Sequence, residues 1–502
     1  MVFRMSKSGY LAFDLGAGSG RAVHGRLDRE RLQIREIHRF PNTPLEILGH
    51  VHWDVFRIFA EMKKAMRFCA EDKRSFPVSS LGIDTWGVDF GLLAEDGSLL
   101  GLPLSYRDKR TEGAMEDYFR LVPRDILYEK TGIQFLPFNS LFQIYAMVRS
   151  RSPLLGRAAD LLFMPDLFNF LFTGKKATEP TIASTSQMLD PRTKSWIPGL
   201  FQAMGYSRKI MPAIIPSGTV LGPLNNDIAS ETGLRNVSVI AVAGHDTAAA
   251  VAAVPANGDG WAYISSGTWS LVGIELPEPV ISTQALSGNF TNEAGVGGKI
   301  RFLKNVTGLW LLQKCRESWG GENAPSYEEL DCLAEASTPF PFTLDPDSPD
   351  FMNPPDMPEA IAAFCRRTGQ RVPDGIGSTV RGILESLALK SRFVLEQMAR
   401  VTGRPIEKIH MIGGGAKNRL LGRFTASAAG IPVISGPVEA AAIGNLLCQA
   451  MALGHIDDLE TLRSIVRNSF ACDLHKPVEN SSWNTAYAAF LDIAAMLHSR
   501  PA

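Results

Sequence analysis

The 502-residue sequence predicts an α/β protein made of two related domains, and three observations support this reading. A strand, a turn of small residues and a second strand open the chain, and the same order returns roughly 250 residues later. Short apolar runs with strand character alternate with stretches whose apolar residues fall three or four apart. Glycine-rich turns lie where apparent strands end.

Tyr10-Leu11-Ala12-Phe13 reads as a buried strand that runs into the turn Gly16-Ala17-Gly18-Ser19-Gly20, with Ala22 to Leu27 leading away and Leu32 to Ile34 continuing the meander. Phe56, Phe59, Met62 and Met66 fall on one face of a helix, and Val78 to Ile83 returns to a strand. Val237 to Ala243 is an apolar strand, and a helix begins among Ala248, Ala249 and Ala250. Pro255 to Gly260 is a compact turn signal, which divides the chain into domains 1–254 and 255–502. In the second half Trp261 to Ile264 and Trp269 to Ile274 are strands about the turn Ser265-Ser266-Gly267-Thr268. Ile409 to Ile412 ends in Gly413-Gly414-Gly415 and is followed by a helix from Leu420 to Ala429. Seven prolines between Pro339 and Pro358 suggest a surface excursion, with a lid as the alternative.

Lys and Arg number 51 against 52 Asp and Glu, a net charge of −1, so the chain lacks the cationic excess of a dedicated nucleic-acid binder. No apolar run reaches the ~18 to 20 residues that span a bilayer. The start, Met1 to Lys7, has no apolar leader core, and the six cysteines are scattered without a C-x-x-C pair. These features predict a cytoplasmic protein with no nucleic-acid or membrane partner.

The turn after Asp14 can bring bare backbone N–H groups to a phosphate chain, with Ser19 and Arg21 adding a hydroxyl and a cation. An unliganded glycine hairpin is the plain alternative. The string is neither a P-loop nor a dinucleotide fingerprint, because Arg21 stands at the third glycine position and a strand follows. Ser265 to Thr268 and Gly413 to Gly415 are weaker turns of the same kind. Gly244-His245-Asp246-Thr247 places a carboxylate at a strand end beside a helix start, which suits either a general base or a helix cap. Neighbouring His245 and Asp246 are expected to point opposite ways on extended chain. Asp84-Thr85-Trp86-Gly87-Val88-Asp89 combines carboxylates, an aromatic and a glycine, a mixture suited to a sugar or to a plain turn. Tyr106 to Arg110 and Asn305 are further candidates.

Taken in order, Asp14-Leu15-Gly16-Ala17, Gly82 to Asp89, His245-Asp246-Thr247, Ser266-Gly267-Thr268-Trp269 and Gly413-Gly414-Gly415 resemble the FGGY carbohydrate kinases. Tyr106-Arg107-Asp108, Gly132 to Asn139, Leu303-Lys304-Asn305 with Gly308 to Gln313, and Gly436 to Ala440 look most like its rhamnulose branch. Phe138 to Gln143 departs from the first signature of the glycerol and xylulose members in a way this branch shares. The resemblance implies two ribonuclease-H-like (actin-like ATPase) domains flanking a catalytic cleft, 1–254 mainly for sugar and 255–502 mainly for nucleotide. It implies Asp246 as catalytic base. Ala17, Gly18, Ser19, Gly20, Arg21, Thr268, Gln313 and Gly415 would bind nucleotide, while Gly87, His245, Asp246, Thr247 and Asn305 would bind sugar. Asp14 would lie near Mg²⁺, through water. The implied reaction is phosphorylation of a ketose by ATP with Mg²⁺, L-rhamnulose at its 1-hydroxyl, with L-fuculose as an alternative. An actin-like ATPase that moves protein partners is the rival from another class.

Overall fold

Strand β1 (Gly9–Leu15) is buried along its whole length, as an apolar run unbroken by polar alternation requires of a central strand. The computed structural model describes residues 9–72, 76–479 and 481–498 and divides into two units. The first comprises the described residues through Asn257, with Glu275–Phe302 and Ala440–Phe470. The second comprises Gly258–Ile274, Leu303–Glu439 and the described residues from Ala471.

In the first unit β1, β2 (Ser19–Asp28) and β3 (Arg31–Pro41) form an antiparallel meander. Beyond β1 lie β4 (Val78–Thr85) and β6 (Ser238–Ala241), both parallel to it, with β5 (Thr219–Pro223) antiparallel at the edge. The sheet order is therefore β5-β6-β4-β1-β2-β3. Helix α1 (Val55–Glu71) buries Val55, Ile58, Met62, Ala65, Met66 and Cys69. Phe56 is 59% exposed, against the expectation that it shares this face. One residue turns a helix by about 100°, so Val55 takes the inward direction and Phe56 is carried round to solvent.

The helix Ala440–Ala452 packs against β1 and β4. Gln449 Nε2 donates to the Leu11 carbonyl at 3.0 Å, and Ser80 Oγ donates to Gln449 Oε1 at 2.8 Å. Helix α2 (Asp246–Ala252) follows β6 and packs on the same helix. A Cβ at Gly444 would stand 1.8 Å from the Ala249 carbonyl oxygen, so only glycine allows the two backbones this close.

The second unit repeats the local plan. Strands β7 (Trp261–Ser266) and β8 (Trp269–Leu276) form a hairpin, and β7 pairs in parallel with β10 (Lys408–Ile412). With β9 (Ile300–Thr307), β11 (Val433–Ser435) and β12 (Asp473–His475), the order is β9-β8-β7-β10-β11-β12. Helix α3 (Ile376–Thr402) packs on α4 (Arg419–Ala429) and on the helix Tyr327–Ala336.

The proline-rich segment is not a surface excursion. Phe342, Leu344, Phe351 and Met357 are buried, and Lys390 of α3 holds Asp345 at 2.7 Å and Asp347 at 2.9 Å. Proline prevents regular backbone pairing but leaves the apolar side chains between prolines free to pack. Among the described residues no helix is long and apolar enough to cross a membrane.

Candidate active site

Three parallel strand ends assemble the acidic group of the first unit. Asp14 and Asp84 are register partners on β1 and β4. Thr85 N donates to the Gly244 carbonyl at 2.8 Å, which brings the segment after β6 alongside. The carboxyl ends of parallel strands are the customary place for a ligand in an open α/β sheet.

Asp84 is fully buried; Oδ2 accepts from Asn445 Nδ2 at 2.7 Å and Oδ1 has no partner among the described residues. Burial pushes its carboxyl well above the usual range, and the charges of Asp14 and Asp246 add to that rise. The side chain of Asp246 is 28% exposed. Its carboxyl is also raised, first by burial and then by Asp14, while His245 and the bonds from Thr247 oppose the rise. Oδ1 accepts from Thr247 N at 2.6 Å and Thr247 Oγ1 at 3.1 Å.

His245 and Asp246 do not point apart. His245 Nε2 lies 3.5 Å from Asp246 Oδ1, because the chain turns there from extended backbone into α2. The other face of the imidazole meets Arg301, 3.2 Å from Nη2 to Nδ1, and Glu293, 3.4 Å from Oε2 to Nδ1. Arg301 Nη2 donates to Glu293 Oε2 at 2.9 Å. Burial pushes the Glu293 carboxyl up, but Arg301 and His245 outweigh it and hold the group below its ordinary value. Glu179 fixes the approach to this junction by accepting from Gly244 N at 2.9 Å and capping the short helix Pro180–Ser184.

The turn between β1 and β2 closes through Gly16 N donating to the Ser19 carbonyl at 3.0 Å and is pinned by Asn42 N donating to Gly18 O at 3.1 Å. Ala17, Gly18 and Ser19 lie at least partly in solvent, whereas Gly20 is buried against Phe40. Arg21 is turned back onto Asp14, to which Nε and Nη2 both donate.

In the second unit the hairpin turn, β9 and β10 bring Thr268, Gln313 and Gly415 into one neighbourhood. Thr268 Oγ1 donates to Gln313 Oε1 at 3.1 Å, and Gln313 N donates to the Leu309 carbonyl at 2.9 Å. Leu309 N in turn donates to Gly267 O at 2.9 Å. A Cβ on Gly415 would lie 2.0 Å from Ser266 Oγ, so the triple glycine is seated directly on the end of β7. Asn305 stands on β9 beside Lys304, whose ammonium is pushed down to about 8, first by burial and then by the like charge of Lys390.

Several sugar-binding candidates are tied to structural partners. Trp86 is 5% exposed, packs against Trp53 with ring centroids 4.2 Å apart and planes tilted by 41°, and shares the fully buried Asp89 with it through both indole N–H groups. Asp108 caps the turn Lys109–Thr111. Gly87 is half-buried with Thr185 over its Cα. The sequence reading passed over Glu293, Arg301 and the individual role of Asp84. All three sit in largely buried strands, where a charge carries no label of its partner.

Asp14 and Asp84 are hard oxygen donors, and the unpartnered Oδ1 of Asp84 is of the type Mg²⁺ takes. Among the described residues no group of three or more His, Cys, Asp or Glu forms an all-protein metal cage. The residues thus fit a magnesium ion that keeps waters and substrate phosphates as most of its ligands.

The chain matches the N-terminal domain of the FGGY family of carbohydrate kinases over residues 9–253 and the C-terminal domain over 262–453. It belongs to that family, and is a carbohydrate kinase. It is 45% identical to a rhamnulokinase of Bacteroides thetaiotaomicron over 484 residues, covering 96% of this chain and 99% of the relative. A rhamnulokinase of Enterococcus faecalis is 40% identical, with 97% and 98% covered. Among solved structures it resembles a gluconate kinase of Lactobacillus acidophilus (TM-score 0.82, 14% identity, 98% of each chain). It also resembles Plasmodium falciparum glycerol kinase with ADP (TM-score 0.78, 14% identity, 99% of each chain). These likenesses establish the two-domain α/β fold.

Proposed function

We propose that this protein transfers the γ-phosphoryl group of MgATP to the 1-hydroxyl of L-rhamnulose, giving L-rhamnulose 1-phosphate and ADP. The observation that carries the reading is Asp246: a carboxylate at a strand end, raised by burial yet partly open to solvent, with Oδ2 unpartnered among the described residues. A base with that character suits removal of a hydroxyl proton as the phosphoryl group arrives. The choice of sugar draws on the rhamnulokinases it resembles along nearly its whole length. Trp86 and Asp89, part of a stretch suited to a sugar or to a plain turn, face inward and do not help to decide between a sugar kinase and an actin-like ATPase.

Phosphoryl transfer needs alignment and charge neutralisation more than covalent chemistry from the protein. In this reading Ala17 to Arg21 of domain 1–254, and Thr268, Gln313 and Gly415 of domain 255–502, position the nucleotide with backbone N–H groups and hydroxyls. Gly87, His245, Thr247 and Asn305 hold the sugar, and Asp246 accepts its proton. Magnesium, when bound near Asp14 and Asp84, supplies neutralisation of phosphate charge. ADP release measured over a panel of ketoses and polyols with MgATP tests the reading. L-rhamnulose should give the highest kcat/KM. Higher efficiency with L-fuculose would reassign the substrate, and turnover indifferent to every sugar but stimulated by a protein would favour the ATPase.

A further inference from the structure

Arg301 is fully buried and only partly paired. Nε donates to the Ala294 carbonyl at 3.0 Å and Nη2 reaches Glu293 and His245, but Nη1 has no partner among the described residues. A buried ion pair with an orphan donor is a poor device for stability, because desolvation is not fully offset. Its geometry does something else. Two groups meet His245 Nδ1, the Arg301 guanidinium at 3.2 Å, which carries donors and no acceptor, and Glu293 Oε2 at 3.4 Å, which Arg301 Nη2 already occupies at 2.9 Å; the nearer contact, to the donor, makes Nδ1 the acceptor. The ring proton then sits on Nε2, the nitrogen 3.5 Å from Asp246 Oδ1. That oxygen already accepts from Thr247 N and Oγ1.

We propose that Arg301, with Glu293 behind it, is a positioning residue for phosphoryl transfer. It fixes the orientation and tautomer of His245, which sets an N–H 3.5 Å from Asp246 Oδ1, the oxygen Thr247 already bonds, and leaves Oδ2 to take the substrate proton. The proposal rests on the reading of Asp246 as the base. The charged groups about the pair are Asp14 with Arg21, Asp84, Glu293 and Arg301 itself. Glu179 accepts from the Gly244 backbone N–H at 2.9 Å.

A double-mutant cycle tests this. Arg301→Lys keeps the charge but cannot donate to both Ala294 and His245, and should lower kcat by ~10-fold or more with sugar KM changed less than ~3-fold. In a His245→Gln background the same change should cost less than ~2-fold, because the residue it acts through is gone. An unchanged kcat in Arg301→Lys, or the full loss persisting in His245→Gln, would overturn the proposal. Should Arg301→Lys fail to fold by circular dichroism, the near-isosteric Glu293→Gln serves, with a kcat loss expected that also vanishes in the His245→Gln background; a loss that persists there counts against the proposal. Asp246→Asn is run alongside. Near-normal turnover in that variant removes the base, and this proposal with it. An inactive Asp246→Asn with no coupling between Arg301 and His245 removes the positioning role alone.

Discussion

Arg21 faces Asp14 across the β1–β2 hairpin, and both its Nε and Nη2 donate to one oxygen, Asp14 Oδ2, at 2.9 and 2.6 Å. The pair sits at the mouth of the glycine turn, so Asp14 meets its neighbours with its charge partly compensated. Those neighbours are Asp84 and Asp246, each raised in part by Asp14, and Arg21 counters the rise at Asp84.

Arg21→Met should therefore move the acid limb of the kcat/KM profile to higher pH. The sign follows directly: the base works ionised, so activity falls as pH drops through its pKa, and an uncompensated Asp14 raises that pKa. Initial rates from pH ~5 to ~9 at fixed ionic strength check it. An acid limb that stays in place or moves down would contradict the linkage between the hairpin pair and Asp246.

Asp84 makes a prediction about stability. Its folded pKa is raised, so the stability associated with its neutral form is present below the unfolded value and is lost as pH rises through the folded value. Asp84→Asn can keep the acceptor that Asn445 uses while removing the charge. The variant should melt above the parent at pH ~8, and the difference should shrink as pH falls into the acid range. Thermal denaturation at several pH values tests this; a lower melting temperature at pH ~8 would refute the burial argument.

Gly444 lets the helix Ala440–Ala452 approach α2, the helix that begins at Asp246. A methyl group there meets backbone, which cannot swing aside. Gly444→Ala should cost ~1 to 3 kcal/mol or more, seen as a lowered denaturation midpoint or loss of folded protein, and reduce kcat in what remains folded. Gly156→Ala, which meets nothing within 4 Å, is the control and should be close to neutral.

Lys390 holds two carboxylates of the proline-rich segment against α3. Burial pushes Asp347 up, but the ammonium outweighs it and keeps that carboxyl below its ordinary value. Lys390→Met leaves Asp345 and Asp347 without their cation and should destabilise the protein by ~3 to 5 kcal/mol. Chemical denaturation measures it, and a midpoint unchanged from the parent would mean the segment is not tied down through these charges.

Much of the architecture is legible in the sequence because punctuation is local. Gly16 to Gly20 and Gly413 to Gly415 mark ends of strands and Pro255 to Gly260 the passage from a helix to a strand, whatever surrounds them, and β1 and β7 are apolar runs. Side-chain direction and pairing are not local. Phe56 and Val55 differ by a single step of helix, yet one is solvent-facing and the other buried. Trp86 looks like a sugar platform until Trp53 and Asp89, 33 and 3 positions away in the chain, are seen to hold it inside. Arg301 reads as one charge in a strand, and its link to His245 spans 56 residues. Folding back of distant strands creates that contact, and no spacing rule announces it.

The most direct measurement of the central claim is turnover of Asp246→Asn with L-rhamnulose and MgATP, alongside calorimetric binding of the sugar. A folded variant that binds sugar like the parent but turns over ~10² to 10⁴-fold more slowly is the expected result. A folded variant that binds the sugar and keeps near-parental kcat would contradict the account.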